Sequence, residues 1–105
     1  MTEFRSVATA SEIPEGEMKQ VELDGEEVVV ANVEGRFFAF SNTCTHEGGP
    51  LGDGDLLDDV VTCPWHGAEF NVTTGEVLAG GPTDDPIPTY EVRLDGDDIQ
   101  IRKPV

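Results

Sequence analysis

The stretches CTHEGGP at residues 44–50 and CPWHGAEF at residues 63–70 contain both cysteines and both histidines of this 105-residue chain. Each stretch supplies one thiol and one imidazole, and glycine and proline lie beside them. Such residues predict two loops in which the backbone turns sharply and can come close to a bound group. The candidate ligands of one site are therefore Cys44, His46, Cys63 and His66.

Several kinds of site suit these four side chains. A disulfide leaves the histidines unexplained and is uncommon in the cytoplasm. Cysteine is often buried as an apolar residue, but glycine- and proline-rich loops match a core poorly. Zinc accepts two cysteines and two histidines, although the usual arrangement pairs like ligands at separate turns. A [2Fe–2S] cluster whose irons are held by two cysteines and two histidines accounts for the mixture, since each loop must then reach both irons.

CTHEGGPL and CPWHGAEF resemble the two cluster-binding sequences of Rieske proteins, and the length and β-rich character of the chain are similar to those of a Rieske ferredoxin. The resemblance implies one [2Fe–2S] cluster per chain. It also implies that Cys44 and Cys63 bind the inner iron, and that His46 and His66 bind the outer iron near the surface.

The same resemblance implies that four further residues surround the cluster: Gly48, Trp65, Gly67 and Pro82. The glycines let the backbone approach the inorganic sulfides. Pro82 belongs to GGP at residues 80–82, which looks like the proline loop that covers the cluster from a third side; an ordinary turn is the alternative. Trp65 either shields the cluster by packing or lies at a docking face.

The remainder of the chain predicts an all-β fold. Alternating or continuous apolar residues predict strands at residues 4–9, 18–23, 28–33, 36–42, 59–63, 68–72, 76–80, 90–94 and 98–103. Asp-Gly at residues 24–25 and 95–96 is a hairpin signal, and no window has the apolar period of an amphipathic helix. The family resemblance implies a Rieske-like fold of three small antiparallel sheets with a loop-rich cluster-binding subdomain.

The length suits a single domain over residues 1–105. Residues 42–82 hold eight of the 12 glycines. We therefore expect them to form the cluster-binding subdomain, and residues 1–41 and 83–105 to form a β-rich base.

Charge narrows the possible partners. The chain has 22 Asp plus Glu against 6 Lys plus Arg, a net charge of −16. Nucleic acid and anionic membranes are excluded as partners because both require a basic surface.

With no apolar run long enough to span a membrane and no secretory signal at the N-terminus, we expect a cytoplasmic protein. Acidic runs along the whole chain favour a general solubilising surface suited to high salt over steering of a basic partner.

Departures from the Rieske proteins of respiratory complexes point to a low reduction potential. Those proteins carry an extra cysteine pair where this chain has Gly49 and Trp65, and hydroxyl donors to sulfur where it has Ala68 and Phe70. Missing donors, together with reduction inside a strongly negative protein, predict a potential toward the lower end of the roughly −150 to +300 mV Rieske range.

These features resemble the ferredoxins of bacterial ring-hydroxylating dioxygenase systems. The resemblance implies a soluble one-electron carrier that receives electrons from a flavin-dependent reductase and passes them to a terminal oxygenase. No further histidine exists for a mononuclear iron, so we expect a carrier and not an enzyme. The alternatives are a small Rieske subunit of an assimilatory nitrite reductase and a zinc-binding interaction module.

Overall fold

The computed structural model describes residues 3–43, 50–65, 67–79 and 86–103. Within these ranges the chain forms ten β-strands and two short 3-10 helices, Ala10–Glu12 and Leu51–Asp53, and no α-helix. No helix in the described ranges is long and apolar enough to cross a membrane. The strands are β1 (Arg5–Thr9), β2 (Met18–Leu23), β3 (Glu26–Val33), β4 (Arg36–Ser41), β5 (Asp55–Leu57), β6 (Val60–Thr62), β7 (Glu69–Asn71), β8 (Val77–Ala79), β9 (Thr89–Asp95) and β10 (Asp98–Arg102).

The strands form two antiparallel sheets. The base sheet has the order β1-β10-β9-β4-β3-β2, and the small sheet has the order β5-β6-β7-β8. Strand β9 joins β4 only through the pairs Ala39–Tyr90 and Phe40–Thr89, so the base sheet consists of two three-stranded parts. These parts and the small sheet correspond to the three small sheets that the family resemblance implies, and the all-β class predicted from the sequence is confirmed.

Strand β3 lies between two apolar cores. One core, here called the base core, fills the curl of the base sheet, whose outer strands β1 and β2 approach each other. The other, the junction core, lies between the base sheet and the small sheet. The base core contains Ile13, Leu23, Val28, Val30, Ala39, Ile99 and Ile101. The junction core contains Val29, Ala31, Phe40, Leu51, Val61, Cys63, Ala68, Phe70, Val72 and Ile87.

The hairpins have the turns that the sequence predicts. Asp24 and Gly25 both have positive φ, 51° and 84°, as a two-residue turn between antiparallel strands requires. Gly96 has a φ of 62° in the hairpin between β9 and β10. In the turn from β3 to β4, the side-chain oxygen of buried Asn32 accepts a hydrogen bond from the Gly35 amide at 2.8 Å.

Strand β5 was not predicted. The sequence DGDLLDD at residues 53–59 reads as a solvated acidic turn, and only Leu56 in this strand is even partly buried. The strand forms because it pairs with β6, with Leu56 opposite Val61. The two strands form a tight hairpin through Asp58 and Asp59, in which Asp58 has a positive φ of 54°, and no glycine marks this turn in the sequence.

Two hairpins place carboxylates directly opposite each other. Glu22 faces Glu27 across β2 and β3, and Asp95 faces Asp98 across β9 and β10. Like charges in such positions destabilise a sheet. Several basic side chains, in contrast, form ion pairs with carboxylates: Arg5 with Asp24, Lys19 with Glu12, Arg102 with Glu91 and Lys103 with Glu26.

Two of these ion pairs shift the pKa of a partner. The hydrogen bond from Lys19 is the main cause that lowers the pKa of Glu12 to about 2. The hydrogen bond to Glu26 raises the pKa of Lys103 above its usual value. Both pairs lie in the base. Because the few basic side chains bind nearby carboxylates, most of the 22 acidic side chains have no basic side chain to neutralise their charge.

We expect added KCl to stabilise the protein into the molar range, because salt screens the repulsion between these carboxylates. Glu22→Lys, which creates an opposite-charge pair with Glu27, should raise the free energy of unfolding at low salt by roughly 0.2–1 kcal/mol and weaken its dependence on KCl. Thermal unfolding at a series of KCl concentrations measures both effects.

Glu3→Lys is the control, since it changes the net charge equally at an exposed residue outside the strands. Unfolding that does not respond to KCl would show that repulsion between carboxylates is unimportant. Equal stabilisation in both variants would show that the cross-strand position of Glu22 is unimportant.

Candidate metal centre

Cys63 directly follows β6 and begins a tight connection to β7. Its amide donates a hydrogen bond to the Ala68 carbonyl at 2.8 Å, and its carbonyl accepts one from the Gly67 amide at 3.1 Å. Gly67 has a φ of 76°, a conformation that other residues rarely adopt. No other described atom lies close enough to contact a Cβ there, so within the described chain the backbone conformation, and not crowding, requires glycine.

The thiol of Cys63 is buried and free, with 3% of the residue exposed. It packs in the junction core with Leu51, Ala68 and Phe70. A thiol in this position is shielded from water yet lies at the end of a strand, where a bound group can reach it. Shielding by apolar side chains is a feature that controls solvent access and redox potential at metal sites.

The first ligand stretch is bracketed by paired residues. Thr43 and Pro50 form an antiparallel bridge, and the Leu51 amide donates to the Asn42 carbonyl at 2.7 Å. The predicted ligands Cys44 and His46 and the predicted neighbour Gly48 lie in segment 44–49, outside the described residues. His66 and Pro82 also lie outside them.

The flanks of the two ligand stretches meet. Leu51, which follows the first stretch, shares the junction core with Cys63, which begins the second. Gly54 packs so closely on Thr62 that a Cβ at residue 54 would lie 1.9 Å from the Thr62 carbonyl oxygen. The structure therefore anchors both stretches at one place.

A third chain segment is anchored in the same core. Ile87 follows segment 80–85 and donates its amide to the Gly75 carbonyl at 2.9 Å. Its side chain is buried in the junction core. Gly75 fits because a Cβ there would lie 2.4 Å from the Ile87 carbonyl oxygen. The chain that follows the predicted proline loop is thus anchored in the same core that contains Cys63.

Trp65 is exposed, whereas Ala68 and Phe70, which stand where respiratory Rieske proteins have hydroxyl donors, are buried. Trp65 is 54% exposed, so its ring is not part of either core. Ala68 and Phe70 are fully buried in the junction core. Any hydroxyl introduced at these two positions would lie in an apolar environment beside Cys63.

The available donors fit an iron–sulfur cluster. Thiolates and imidazoles suit both zinc and iron–sulfur groups, and the one described donor of the four is an unbonded, buried thiol in a tight turn. In the described part of the chain no three His, Cys, Asp or Glu side chains gather into a metal site. The four residues of the two ligand stretches therefore stay the candidate donor set.

Comparison with known proteins identifies the family. The sequence matches the Rieske [2Fe–2S] domain over residues 3–91. It is 38% identical to the biphenyl dioxygenase ferredoxin subunit of Pseudomonas sp. (strain KKS102), over 93% of this chain and 90% of that protein. It is 40% identical to the ferredoxin component of biphenyl 2,3-dioxygenase from Rhodococcus jostii (strain RHA1), over 90% of this chain and 88% of that one.

A solved structure agrees with this. The fold superposes with a TM-score of 0.88 and 32% identity on a chain from a complex of reduced oxygenase and oxidised ferredoxin of carbazole 1,9a-dioxygenase, covering 93% of this chain and 91% of that chain. The chain belongs to the Rieske [2Fe–2S] domain family. It holds one [2Fe–2S] cluster and is an electron carrier of the ferredoxin type, not itself a catalyst.

The comparisons also decide between the alternatives. The relatives named above are ferredoxin components of dioxygenases, and they do not favour the nitrite reductase subunit or the zinc-binding interaction module. Sequence reasoning missed two residues of the site's surroundings, Asn42 and Gly54. An asparagine before the first ligand stretch and a glycine in an acidic turn give no local signal of their contacts.

We expect Gly54→Ala to lower the free energy of unfolding by about 1–3 kcal/mol, because the added methyl group collides with the Thr62 carbonyl. The φ of Gly54 is −84°, which alanine adopts easily, so the cost is steric. Because Thr62 adjoins Cys63, the variant should also bind less iron. Chemical denaturation and iron analysis measure the two effects.

The control is Gly96→Ala in the hairpin between β9 and β10, where the cost comes from a positive φ of 62° and neither ligand stretch is adjacent in sequence. Equal loss of iron in the two variants would contradict a specific role for the contact between Gly54 and Thr62.

Proposed function

We propose that this chain is the ferredoxin component of a ring-hydroxylating dioxygenase system, and that it carries one electron at a time from a flavin-dependent reductase to a terminal oxygenase. The observation that carries the proposal is the near full-length similarity to stand-alone ferredoxin components, combined with a buried free thiol at Cys63 where such a protein needs a ligand. When bound, the cluster supplies reversible one-electron chemistry.

The proposed ligands are Cys44 and Cys63 on the inner iron and His46 and His66 on the outer iron. Cys63 lies in the junction core, as an iron shielded from water requires. Of the four proposed neighbours, Gly67 permits the turn after His66, and Gly48 and Pro82 lie in the two segments whose flanks converge on Cys63. The ligand roles of Cys44, His46 and His66 are proposed from the sequence.

We further propose that residues 1–105 are a single cytoplasmic domain in which residues 42–82 form the cluster-binding subdomain. All four strands of the small sheet fall inside residues 42–82. The subdomain is not independent of the base, because the junction core draws side chains from β3 and β4 as well as from the small sheet.

The proposed docking face includes the exposed Trp65, which is adjacent in sequence to the proposed iron ligand His66. An indole at this position supplies apolar contact area beside the site where electrons enter and leave. Because the acidic residues are spread over the whole chain and are interpreted as a solubilising surface, we attribute recognition at this face to apolar contact through Trp65 and not to long-range attraction.

Dithionite-reduced protein should give a rhombic EPR signal with an average g value expected for a histidine-ligated cluster, with two irons and two sulfides per chain. Voltammetry should give a midpoint below about +100 mV, in the lower part of the Rieske range. Cys63→Ala should abolish the signal. Stoichiometric zinc without a signal would contradict the proposed function, whereas a midpoint well above that limit would contradict only the low potential.

Restoring hydroxyl groups beside the proposed cluster should raise the potential. We expect Ala68→Ser and Phe70→Tyr each to shift the midpoint upward by about 40 mV, since one hydrogen bond of about 1 kcal/mol corresponds to that potential for one electron. Val72→Thr is the control, because it places a hydroxyl at another buried position of the junction core. Unchanged midpoints in the first two variants, or an equal shift in the control, would contradict the assignment.

A further inference from the structure

Two asparagines, Asn32 and Asn42, are the buried polar side chains among the residues that the structure describes. A buried amide is costly unless its donor and acceptor are both satisfied. In each asparagine the side-chain oxygen accepts a backbone amide from a residue further along the chain. Each side chain therefore links two segments of the chain, at a different place in the fold.

Asn42 links β3 to the chain on both sides of the first ligand stretch. Its backbone amide donates to the Glu27 carbonyl at 3.1 Å, and its carbonyl accepts from the Leu51 amide at 2.7 Å. Its side-chain oxygen accepts from the Gly52 amide at 2.7 Å. Asn42, which precedes the first ligand stretch, thus binds directly to residues 51 and 52, which follow it.

The side-chain NH2 group of Asn42 is also bonded, which fixes the orientation of the side chain toward the Gly52 amide. It donates to the Glu27 carboxylate at 3.2 Å and, more weakly, to the Gln20 side-chain oxygen at 3.4 Å. Gln20 in turn donates to the Asp53 carboxylate at 2.9 Å. Strands β2 and β3 of the base sheet therefore hold the segment that follows the ligand stretch through side chains as well as through backbone.

This arrangement requires a residue that is short, accepts at one atom and donates at the other. Alanine would leave the partly buried Gly52 amide without its acceptor, a loss of about 1 kcal/mol. Aspartate would keep the acceptor but would set a second carboxylate against Glu27.

We propose that Asn42 is a positioning residue for the iron–sulfur cluster, because it clamps together the two described ends of the stretch that carries the proposed ligands Cys44 and His46. The inference rests on the proposed ligand set. A loosened clamp leaves the base core intact but weakens the hold on both ends of this stretch. The cluster is then released more easily and its environment becomes heterogeneous.

Asn32 provides the matched control. It is as buried as Asn42, 5% exposed against 3%, and its side-chain amide donates to the Ile13 carbonyl at 2.7 Å while its oxygen accepts from Gly35 at 2.8 Å. It holds the turn between β3 and β4, and none of these partners belongs to or adjoins a ligand stretch.

The experiment compares wild type, Asn42→Ala and Asn32→Ala as cluster-loaded proteins. Cluster release is followed by the visible absorption after addition of EDTA, at a temperature well below all the unfolding midpoints, and EPR spectra of the reduced proteins are recorded. Both variants should unfold at lower temperature. Asn42→Ala should release the cluster about fivefold faster than wild type and broaden the EPR lines, whereas Asn32→Ala should change release by less than about twofold and leave the lines unchanged.

Equal acceleration by the two variants, or unaltered release and EPR lines in Asn42→Ala, would overturn the inference. If Asn42→Ala does not accumulate as folded protein, Asn42→Asp and Asn32→Asp replace the pair, and the same difference between them is expected. Wild-type protein without a cluster would refute the proposed function itself. That failure is distinguishable because it is seen before any variant is compared.

Discussion

Strand β3 is buried on both faces, and the rest of the structure depends on this. Val28 and Val30 face the base core, while Val29 and Ala31 face the junction core, all with no exposed surface. Each fully buried valine contributes about 1.5–3 kcal/mol, so this strand stabilises both cores at once. The small sheet has only three-residue strands and borrows its packing from β3 and β4. The metal centre therefore rests on a strand that supplies none of its ligands.

Three segments converge on the junction core, and each is held by a different means. The second ligand stretch is held by the hydrogen bonds of Cys63 with Ala68 and Gly67. The first is held by Asn42 and by packing of Leu51. The third is held by Ile87 against Gly75. The described flanks of all three segments are therefore fixed in one core.

Local sequence was enough to predict most strands and the chemistry of the site. Alternating residues and Asp-Gly turns decide the hairpins, and the pairing of one cysteine with one histidine in each stretch decides the class of ligand. Strand β5 escaped prediction because the turn that joins it to β6, Asp58-Asp59, lacks the glycine that marks the other hairpins. Asn42 and Gly54 escaped because their partners, Gly52 and Thr62, are chosen by the tertiary fold. Gly67 stays a predicted neighbour of the cluster, and the structure adds that its positive φ favours glycine.

The carboxylates that oppose each other across the hairpins have a consequence for encounters in a crowded solution. Two copies of a chain of net charge −16 repel each other, and the outer strands of the small sheet offer only three residues each for pairing with another backbone. A shuttle that visits two partners in turn must leave each as readily as it arrives. Repulsion between copies keeps the chain from self-association, and the short outer strands of the small sheet leave little backbone for lasting contacts.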